Sequence, residues 1–320
     1  MNIPSMKYRN LGRTALKVSI LSLGTGGPNR LGQRSGLLEP HISRLIRRAL
    51  ELGVNFIDTA PSYGQSESIL GRVLREVRRD SYILATKFSP VLNREICSPE
   101  QFSISVERSL KRLRVEYIDI LQFHRVLPDF YHHVVERLAP IALQLQEQGK
   151  LRFLGITEST LKDYNHKTLK MALDNCLFDT IMVGYNFMNP YAEEHILPTA
   201  QKKNIGVICM VALRQLIRCQ KHLKTNIVYT KERGIIANHD PIEVDPLQSI
   251  IGKRVLPLPT LGYKYVAAHP AVATVLTGTA DTKHLEDNAR SILGPPLAER
   301  DVEILRGIFS RVENACTMIG

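Results

Sequence analysis

The chain contains 320 residues, of which 42 are lysine or arginine and 31 are aspartate or glutamate, so its formal net charge is +11. Its hydrophobic share of 44% and charged share of 23% are ordinary for globular proteins, which excludes a disordered or fibrous chain. No apolar run approaches the roughly 20 residues that cross a membrane, and the amino-terminal segment lacks the apolar core of a secretory signal. A chain of this length buries a large core without disulfides or metal ions.

The five cysteines are scattered, and no two of them are separated by only two residues. This spacing predicts neither a disulfide framework nor a thiolate zinc site, and it favours the cytoplasm. His132 and His133 begin a predicted helix without a third ligand, so we predict no metal site. The basic residues are spread along predicted helices without interleaved aromatic residues, which is typical of solvated helix faces rather than of a surface for nucleic acid or membrane.

Eight short apolar runs alternate with helical patterns along the chain. The predicted strands are Val18–Leu23, Asn55–Thr59, Tyr82–Lys87, Tyr117–Phe123, Phe153–Ile156, Thr180–Tyr185, Gly206–Met210 and Thr274–Leu276. Strict alternation of strand and helix predicts parallel strands that are joined by crossover helices. Eight units predict an α/β fold of the closed (β/α)8, TIM-barrel type, whereas five or six units would fit an open doubly wound sheet.

The predicted helices carry apolar residues at three- and four-residue spacing. They cover Glu39–Leu52, Ser66–Val77, Pro99–Leu113, Val134–Gln148, Leu161–Asn175, Ala192–Lys203, Pro259–His269 and His284–Ser291, with an extra carboxy-terminal helix at Leu297–Val312. A hairpin is expected at about residues 7–17, ahead of the first barrel strand. The one long loop, about residues 213–256, follows the seventh strand and is expected to be functional or mobile. We therefore predict a single barrel domain over residues 1–320.

Polar side chains lie at or just after the carboxyl ends of three consecutive predicted strands. Asp58 ends the second strand and Lys87 ends the third, while His124 directly follows the fourth. Tyr63 lies five residues after Asp58, in the loop that leaves the second strand. Because the ends of neighbouring barrel strands are about 5 Å apart, we expect these four side chains to converge at one mouth of the barrel.

These four residue types suit proton transfer that is coupled to hydride transfer. A tyrosine holds its proton at neutral pH and donates it to a forming alkoxide. The Lys87 ammonium favours the phenolate and is therefore expected to lower the pKa of Tyr63, while the Asp58 carboxylate keeps that ammonium charged and oriented. A neutral His124 hydrogen-bonds and places the substrate carbonyl. The hydride itself has to come from a cofactor.

Sequence motifs along nearly the whole chain match those of a known family. They are Leu11–Thr14, Val18–Ser19, Leu23–Thr25, Gly53–Ala60, Tyr63–Gly64, Ser66–Glu67, Ala85–Lys87, Ser109–Leu113, Tyr117–His124, Gly149–Arg152, Gly206–Ile208 and His284–Asn288. On these residues the sequence resembles the aldo-keto reductase superfamily. The resemblance implies a (β/α)8 barrel that carries out reversible NAD(P)-dependent carbonyl reduction. It further implies that Tyr63 is the general acid/base, tuned by Lys87 and Asp58, and that His124 orients the substrate.

The resemblance also implies which residues bind the nicotinamide dinucleotide. They are Thr25, Asp58, Thr157, Glu158, Met182, Met210, Val211, Ala212, Leu213, Arg214, Gly278, Thr279, Lys283, His284, Asp287 and Asn288. Three places depart from the family pattern, because Thr157–Glu158 replaces a Ser-Asn pair, Met182 replaces a glutamine and Met210 replaces an aromatic ring. A glutamate accepts a hydrogen bond from the nicotinamide amide but cannot donate one to it. A methionine still packs on a ring through its polarisable sulfur.

The implied contacts to the rest of the cofactor also differ from the family pattern. Where the family often clamps a 2′-phosphate with a Lys-Ser pair and an arginine, this chain has Gly278–Thr279 and His284, with Lys283 adjacent. The resemblance implies NADP as the cofactor, and the weaker clamp for the 2′-phosphate makes NAD the alternative.

The implied substrate-binding residues are Tyr63, Phe88, His124 and Arg125. Because the chain has no tryptophan, few aromatic residues are available to wall a pocket for a steroid or polycyclic carbonyl. The expected substrate is a small polar carbonyl or alcohol, such as a sugar or a lactol. Arg125 suits a hydroxyl, carboxylate or phosphate of the substrate, and a surface salt bridge is its alternative role.

Two further functions stay open alongside NAD(P)-linked oxidoreduction. The first is a nucleotide-binding regulatory subunit with a reductase-like fold, which the departures at Glu158, Met182 and Met210 favour and the intact group of four disfavours. The second is a non-redox epimerase or dehydratase that uses the same four residues. Slow or absent turnover together with tight nucleotide binding would identify the regulatory subunit. A changed product without a net change in nicotinamide absorbance would identify the epimerase or dehydratase. The chain is expected to be a monomer or a weak homo-oligomer.

Overall fold

A short antiparallel hairpin leads into the first strand of a barrel. The structure is a computed structural model, and it describes residues 3–92, 94–163, 165–213 and 256–309. The hairpin pairs β1 (Tyr8–Asn10) with β2 (Lys17–Ser19), and β3 (Leu21–Gly24) follows after a bend at Ile20. The predicted strand Val18–Leu23 therefore spans two elements, because an unbroken apolar run does not reveal the bend between them.

Eight strands form a closed barrel in which each strand is parallel to both of its neighbours. They are β3, β4 (Phe56–Asp58), β5 (Ile83–Phe88), β8 (Ile118–Val126), β9 (Leu151–Glu158), β10 (Thr180–Gly184), β11 (Gly206–Met210) and β12 (Val272–Thr277). The ring closes where Val275 of β12 lies opposite Leu21 of β3. This arrangement confirms the predicted (β/α)8 fold. A small hairpin of β6 (Val91–Leu92) and β7 (Glu95–Ile96), which the sequence did not predict, leaves the carboxyl end of β5.

Helices connect the barrel strands and cover the outside of the barrel. They are α1 (Glu39–Glu51), α2 (Ser66–Val73), α3 (Pro99–Leu113), α4 (Pro128–His133), α5 (Ala139–Glu147), α6 (Lys167–Asn175), α7 (Ala192–His195), α8 (Leu197–Lys202), α9 (Leu258–Ala268), α10 (Thr282–Leu293) and the carboxy-terminal α11 (Glu299–Phe309). Short 3-10 segments lie at Gly12–Thr14, Arg30–Ser35, Leu74–Glu76 and Arg79–Ser81, and a π-helical turn at Val134–Leu138 joins α4 to α5. Within the described ranges, no helix has both the length and the apolar character needed to cross a membrane.

Two predicted helices have different bounds for local reasons. The helix predicted at Leu161–Asn175 begins only at Lys167, because the Asp163 carboxylate accepts from the backbone N–H groups of Lys167 and Thr168 at 2.8 Å each and caps the helix there. The helix predicted at Ala192–Lys203 is interrupted at Ile196, since Pro198 has no N–H to continue the hydrogen-bond ladder. In the predicted helix Val134–Gln148, the first five residues form the π-helical turn and only Ala139–Glu147 is α-helical. The other predicted elements agree with the structure to within a few residues at their ends.

The apolar core has an inner and an outer layer. Inside the barrel, side chains such as Phe56 and Ile120 pack with Leu11 and Val18 of the amino-terminal hairpin. The hairpin approaches the barrel so closely that a Cβ at Gly12, where φ is +51°, would collide with the backbone of Gly206. A larger apolar layer fills the space between the strands and the helices. Because the hairpin packs against the amino end, the carboxyl end of the barrel is the end at which chemistry is expected.

Candidate active site

The carboxyl end of the barrel brings together the four polar residues that the sequence singles out. Asp58 is the last residue of β4, and Lys87 is the penultimate residue of β5. His124 lies near the end of β8, at a shift in the register between β8 and β9. Tyr63 lies in the turn before α2, where its carbonyl accepts a hydrogen bond from Ser66 Oγ at 2.9 Å.

Lys87 and Asp58 form a buried ion pair. Lys87 Nζ lies 2.5 Å from each carboxylate oxygen of Asp58 and donates to the carbonyl oxygen of Thr59 at 2.8 Å. Burial alone would lower the pKa of Lys87, but the adjacent Asp58 carboxylate outweighs burial and raises that pKa above its ordinary value. The ammonium therefore keeps its charge at neutral pH, and the carboxylate fixes its position.

Gln122 supports this ion pair and was not singled out by the sequence analysis. Its Nε2 donates to Asp58 Oδ1 at 2.9 Å, its side chain is fully buried, and it lies opposite Lys87 in the β5–β8 ladder. The amide satisfies a carboxylate lone pair that burial would otherwise leave without a partner. The sequence did hold a signal, since residues two apart on a strand face the same side and Gln122 precedes His124 by two.

The phenol of Tyr63 lies between the Lys87 ammonium and the His124 imidazole. Lys87 Nζ is 5.1 Å from the centre of the Tyr63 ring, and the Tyr63 hydroxyl oxygen is 3.5 Å from His124 Nε2. The two rings meet edge to face at an interplanar angle of 83°. A Cβ at Gly26 would lie 2.6 Å from ring carbons of Tyr63, so the absence of a side chain at position 26 allows the ring its place.

Burial controls the protonation of Tyr63 and His124. It raises the pKa of Tyr63 above 10, and the Lys87 ammonium opposes this rise without overcoming it. The prediction that the pKa of Tyr63 falls below its ordinary value is therefore wrong in its net direction. Burial, together with the positive charges of Lys87 and Arg125, holds the pKa of His124 well below 6.5. A protonated phenol thus faces a neutral imidazole at neutral pH.

Glu158 occupies a different environment from the one expected for a cofactor ligand. Its Oε2 lies 2.5 Å from His166 Nδ1, and its Oε1 accepts from the backbone N–H of Gly184 at 2.7 Å. Both Glu158 and His166 are buried. The Glu158 carboxylate therefore bridges β9, β10 and the start of α6, and its expected contact with a nicotinamide amide stays a prediction. Sequence reasoning missed His166, because nothing local pairs it with Glu158.

We expect His166→Leu to lower the free energy of unfolding by about 3 kcal/mol or more, because it leaves the buried Glu158 carboxylate with a single backbone partner. Urea unfolding monitored by circular dichroism measures this loss. The double variant Glu158→Leu/His166→Leu is the control, since it removes the charge together with its partner and should be more stable than the single variant. Equal stability of the two variants would contradict a coupled pair.

Phe88 is turned away from the barrel mouth, whereas Thr25 lies at the mouth but is buried. Phe88 follows Lys87 on β5, so strand alternation turns it toward the helices, where its ring packs edge-on against Phe102 at 4.9 Å between centroids. Its predicted role in substrate binding is therefore corrected to a role in the core. Thr25 is fully buried, and its hydroxyl donates to Thr59 Oγ1 at 2.8 Å, so it joins two loops rather than facing a cofactor.

The residues expected to bind the adenosine end of a dinucleotide lie together where β12 leads into α10. Asn288 Nδ2 donates to Thr277 Oγ1 at 2.8 Å, which fixes the amide at the end of β12. Lys283 Nζ pairs with Asp287 Oδ2 at 3.0 Å on the exposed face of α10. An exposed pair of this kind is weak, so Lys283 is available to an anion.

Asp281 caps α10 and was missed by the sequence analysis. Its Oδ1 accepts from the backbone N–H groups of Lys283 and His284 at 2.6 and 3.2 Å, which holds the pKa of Asp281 below 3.8. An aspartate just ahead of an amphipathic segment is the N-cap signal that was available. The Thr279 hydroxyl oxygen in turn accepts from the N–H of Asp281 at 3.1 Å. The Asp281 carboxylate accepts hydrogen bonds from N–H groups that could otherwise donate to a 2′-phosphate.

Several residues expected to bind the dinucleotide lie at the ends of β11 and β12. A Cβ at Gly278 would meet only the Gly24 carbonyl oxygen, at 3.8 Å, so this position is open. Met210 ends β11 half-buried, and Val211 follows in a left-handed conformation with φ of +57°. Ala212 and Leu213 pack against α9, where a Cβ at Gly262 would lie 2.6 Å from a methyl carbon of Leu213. These residues fit the ring and adenosine parts of a dinucleotide.

The amide of a nicotinamide fits less well, because Met182 is buried in the barrel interior and offers no polar group. Among the residues expected to contact the amide, Thr157 still offers a polar side chain. Its hydroxyl oxygen accepts from the N–H of Arg125 at 2.8 Å. Arg214 and nearly all of the predicted loop at 213–256 lie outside the described residues. Among the residues that are described, no cluster of histidine, cysteine, aspartate or glutamate is placed to hold a metal ion.

The fold and the site together define the class of protein. The fold is a closed parallel barrel, and its carboxyl end holds a buried Lys–Asp pair beside a tyrosine and a histidine. The model of the Aldo/keto reductase family matches residues 21–309, and the chain belongs to this family. It is therefore an oxidoreductase of the aldo-keto reductase class, whose members depend on NAD(P).

Individual relatives support the same assignment over nearly the whole chain. The chain is 28% identical to an L-galactose dehydrogenase of Arabidopsis thaliana over 96% of its length and 95% of that protein. It is 26% identical to an NADH-specific methylglyoxal reductase of Escherichia coli over 96% of its length and all of that protein. Among solved structures, the holo form of aldo-keto reductase AKR11C1 from Bacillus halodurans matches with a TM-score of 0.72 and 25% identity, covering 95% of this chain and 96% of that one.

Proposed function

We propose that the protein interconverts a carbonyl group, in an aldehyde, ketone or lactol, and an alcohol on a small polar substrate, using NAD(P). The observation that carries this proposal is the protonated phenol of Tyr63 3.5 Å from His124 Nε2 and beside the Lys87–Asp58 pair. A substrate oxygen at this place receives a hydrogen bond from each ring. The arrangement stabilises negative charge on that oxygen as it develops.

Each of the four residues has a distinct part in the proposed reaction. A bound nicotinamide cofactor would supply the hydride that reduces the carbonyl carbon. During reduction, Tyr63 donates its proton to the carbonyl oxygen. Lys87 stabilises the resulting phenolate, and Asp58 holds the ammonium in place with the help of Gln122. Neutral His124 orients the carbonyl by donating from Nε2. In the oxidation direction the Tyr63 phenolate accepts the proton of the alcohol.

For the cofactor we propose NADP, with NAD as the alternative. Gly278, Thr279 and Asn288 would hold the adenosine end, Met210 would pack on the nicotinamide ring, and Thr157 would contact its amide. The weak Lys283–Asp287 pair supports a role of Lys283 toward a 2′-phosphate, whereas the Asp281 carboxylate at the start of α10 favours NAD. The similarity to an NADH-specific reductase also supports the alternative.

A fluorescence titration with NADPH and NADH tests this choice. We expect NADPH to bind more tightly than NADH, and we expect Lys283→Gln to weaken the binding of NADPH but not of NADH, because only NADPH carries the 2′-phosphate. Lys111→Gln is a control, since Lys111 is an exposed lysine on α3. Tighter binding of NADH by the unaltered protein would contradict NADP as the cofactor.

For the substrate we propose a sugar or a compound of similar size and polarity. The similarity to an L-galactose dehydrogenase supports a sugar, and the absence of tryptophan from the chain disfavours a broad aromatic pocket. A panel of sugars and short-chain carbonyls, assayed by nicotinamide absorbance, tests this choice. Tight nucleotide binding without turnover of any member would favour the regulatory subunit instead. The single-domain organisation, the cytoplasmic compartment and the state of a monomer or weak homo-oligomer stay predictions.

A further inference from the structure

Two arginines flank Tyr63 at the mouth of the barrel. Arg125 directly follows His124 on β8, and its side chain is exposed. Arg30 begins the 3-10 segment Arg30–Ser35 that follows β3, and its Nη1 lies 3.7 Å from the place that a Cβ of Gly64 would occupy. Gly64 is the neighbour of Tyr63 in the chain. Arg30 therefore lies beside the loop that carries Tyr63, and the charge of Arg125 acts on the phenol itself.

The backbone of β8 is irregular at Arg125. In a regular strand, residue 125 would turn with Phe123 toward the helix layer, and residue 126 would turn inward. Instead Val126 packs in the outer layer with Phe123, and the register against β9 shifts between these two residues. Arg125 itself has a left-handed backbone, with φ of +53°. The strand thus inserts an extra residue, and this bulge lifts Arg125 out of the core and onto the rim next to His124.

The left-handed conformation at Arg125 is held by a specific contact. Thr157 Oγ1 accepts from the N–H of Arg125 at 2.8 Å. Arg30 is also left-handed, with φ of +46°. An L-residue in this conformation costs roughly 1 kcal/mol or more, and such costs concentrate at functional sites. The fold thus accepts strain at both arginines that flank Tyr63.

The charge of Arg125 reaches the residues that handle the substrate oxygen. It contributes to lowering the pKa of His124 and opposes the rise in the pKa of Tyr63. Among the described residues, neither Arg125 nor Arg30 has a carboxylate within salt-bridge distance. The nearby Asp58 carboxylate is already matched by Lys87. Arg125 therefore places a positive charge near the reacting atoms that no described carboxylate pairs.

We propose that the carbonyl substrate carries an anionic group, a carboxylate or a phosphate, that binds the Arg125 guanidinium, with Arg30 adding positive charge on the other side of Tyr63. This inference rests on the proposed function and narrows its substrate class to small acidic carbonyl compounds or acidic sugars. The planar guanidinium binds either anion through two parallel hydrogen bonds, and this fixes the distance from the anion to the carbonyl at His124.

Matched probe pairs test the substrate class. D-galacturonate is compared with D-galactose, and glyceraldehyde 3-phosphate with glyceraldehyde, in an assay of NAD(P)H oxidation. We expect kcat/KM to be about tenfold to hundredfold higher for at least one acidic probe than for its neutral partner. The pair that shows the preference distinguishes a carboxylate from a phosphate. Preference for both neutral probes would overturn the inference while leaving the proposed function intact.

Single arginine substitutions test whether Arg125 causes the preference for an acidic probe. Arg125→Gln should lower kcat/KM for the preferred acidic probe about tenfold more than for its neutral partner, mainly through KM. Arg114→Gln is the matched control, because Arg114 is also an exposed arginine in a left-handed conformation, with φ of +57°, but lies at the end of α3 near the opposite end of the barrel. A loss of NADPH affinity in Arg125→Gln without a change in probe preference would assign Arg125 to the cofactor and overturn the inference.

A binding measurement separates this inference from the proposed function. Calorimetry of the NADP⁺-loaded protein with D-galacturonate and with glyceraldehyde 3-phosphate does not require turnover. Binding of either acidic probe that Arg125→Gln weakens about tenfold, in a protein that reduces no probe, would support the anion site and refute the proposed reaction. Binding that is unaffected by Arg125→Gln, or binding of neither probe, would overturn the anion site.

Discussion

Replacing Tyr63 by phenylalanine should lower kcat by about 100-fold or more, because general acid catalysis of this kind contributes about that factor or more. The phenol is the protonated group that approaches the neutral imidazole of His124, at 3.5 Å, and its pKa above 10 keeps the proton in place at neutral pH. Phenylalanine retains the ring that packs against Gly26 and loses only the hydroxyl. The rate of NAD(P)H oxidation with a probe that the unaltered protein reduces measures the loss.

Cofactor affinity and stability should be nearly unchanged in Tyr63→Phe, since the long contact with His124 contributes little to either. Fluorescence titration with NADPH and a thermal melt check both points. Tyr8→Phe is the matched control, because Tyr8 is a half-exposed tyrosine of the amino-terminal hairpin that donates to the Gly53 carbonyl at 2.9 Å, at the closed end of the barrel. Near-full activity of Tyr63→Phe would show that another group supplies the proton.

The fold could be predicted from the sequence because its signals are local and repeated. The eight apolar runs and the helical patterns between them depend on spacing within each segment, and the strand Gly206–Met210 has the same bounds in the prediction and in the structure. Errors arose where two elements share one pattern. The bend at Ile20 lies inside a continuous apolar run, so the hairpin strand β2 and the barrel strand β3 were joined.

The four residues around Tyr63 could be predicted because strand ends in a closed barrel lie at a common mouth. The contacts that support them depend on partners distant in the sequence. Gln122 meets Asp58 from 64 positions away, and Gly26 is required only because the Tyr63 ring packs against it. Strand alternation indicates that Gln122 faces the same side as His124, but the partner of each residue is decided only in the folded barrel.

The pKa of Tyr63 shows a further limit of sequence reasoning. A neighbouring lysine predicts a lower pKa, and its effect has the expected sign, but burial has the larger effect and reverses the outcome. Likewise, Glu158 lies where the family pattern suggests a cofactor contact, yet His166 and the Gly184 N–H occupy its oxygens. The degree of burial and the competing partners follow from tertiary packing, which residue identity alone does not specify.

Replacing Lys87 by methionine should shift the pH dependence of the reaction as well as lower its rate. The ammonium lies 5.1 Å from the Tyr63 ring centre and opposes the rise in the pKa of the phenol caused by burial. Without it, the pKa of Tyr63 should rise further, by about one unit or more. Alcohol oxidation requires the phenolate, so its rate should increase with pH only at higher values than in the unaltered protein. We expect kcat at neutral pH to fall about 100-fold or more.

A second variant keeps this prediction testable if the loss of charge destabilises the fold. Lys87→Met alone leaves the buried Asp58 carboxylate without its cation, which costs about 3–5 kcal/mol of stability. In Lys87→Met/Asp58→Asn the uncompensated charge is gone and the ammonium near the phenol is also absent. Because the Asp58 carboxylate raises the pKa of Tyr63 by less than the Lys87 ammonium lowers it, the pH–rate profile should still shift to higher pH, but by less than in Lys87→Met. Profiles of kcat for alcohol oxidation between about pH 7 and 11.5 measure it, since this range extends above the ordinary pKa of a tyrosine at about 10. A profile that stays in place in the double variant would mean that Lys87 serves only to fix Asp58 and does not tune the phenol.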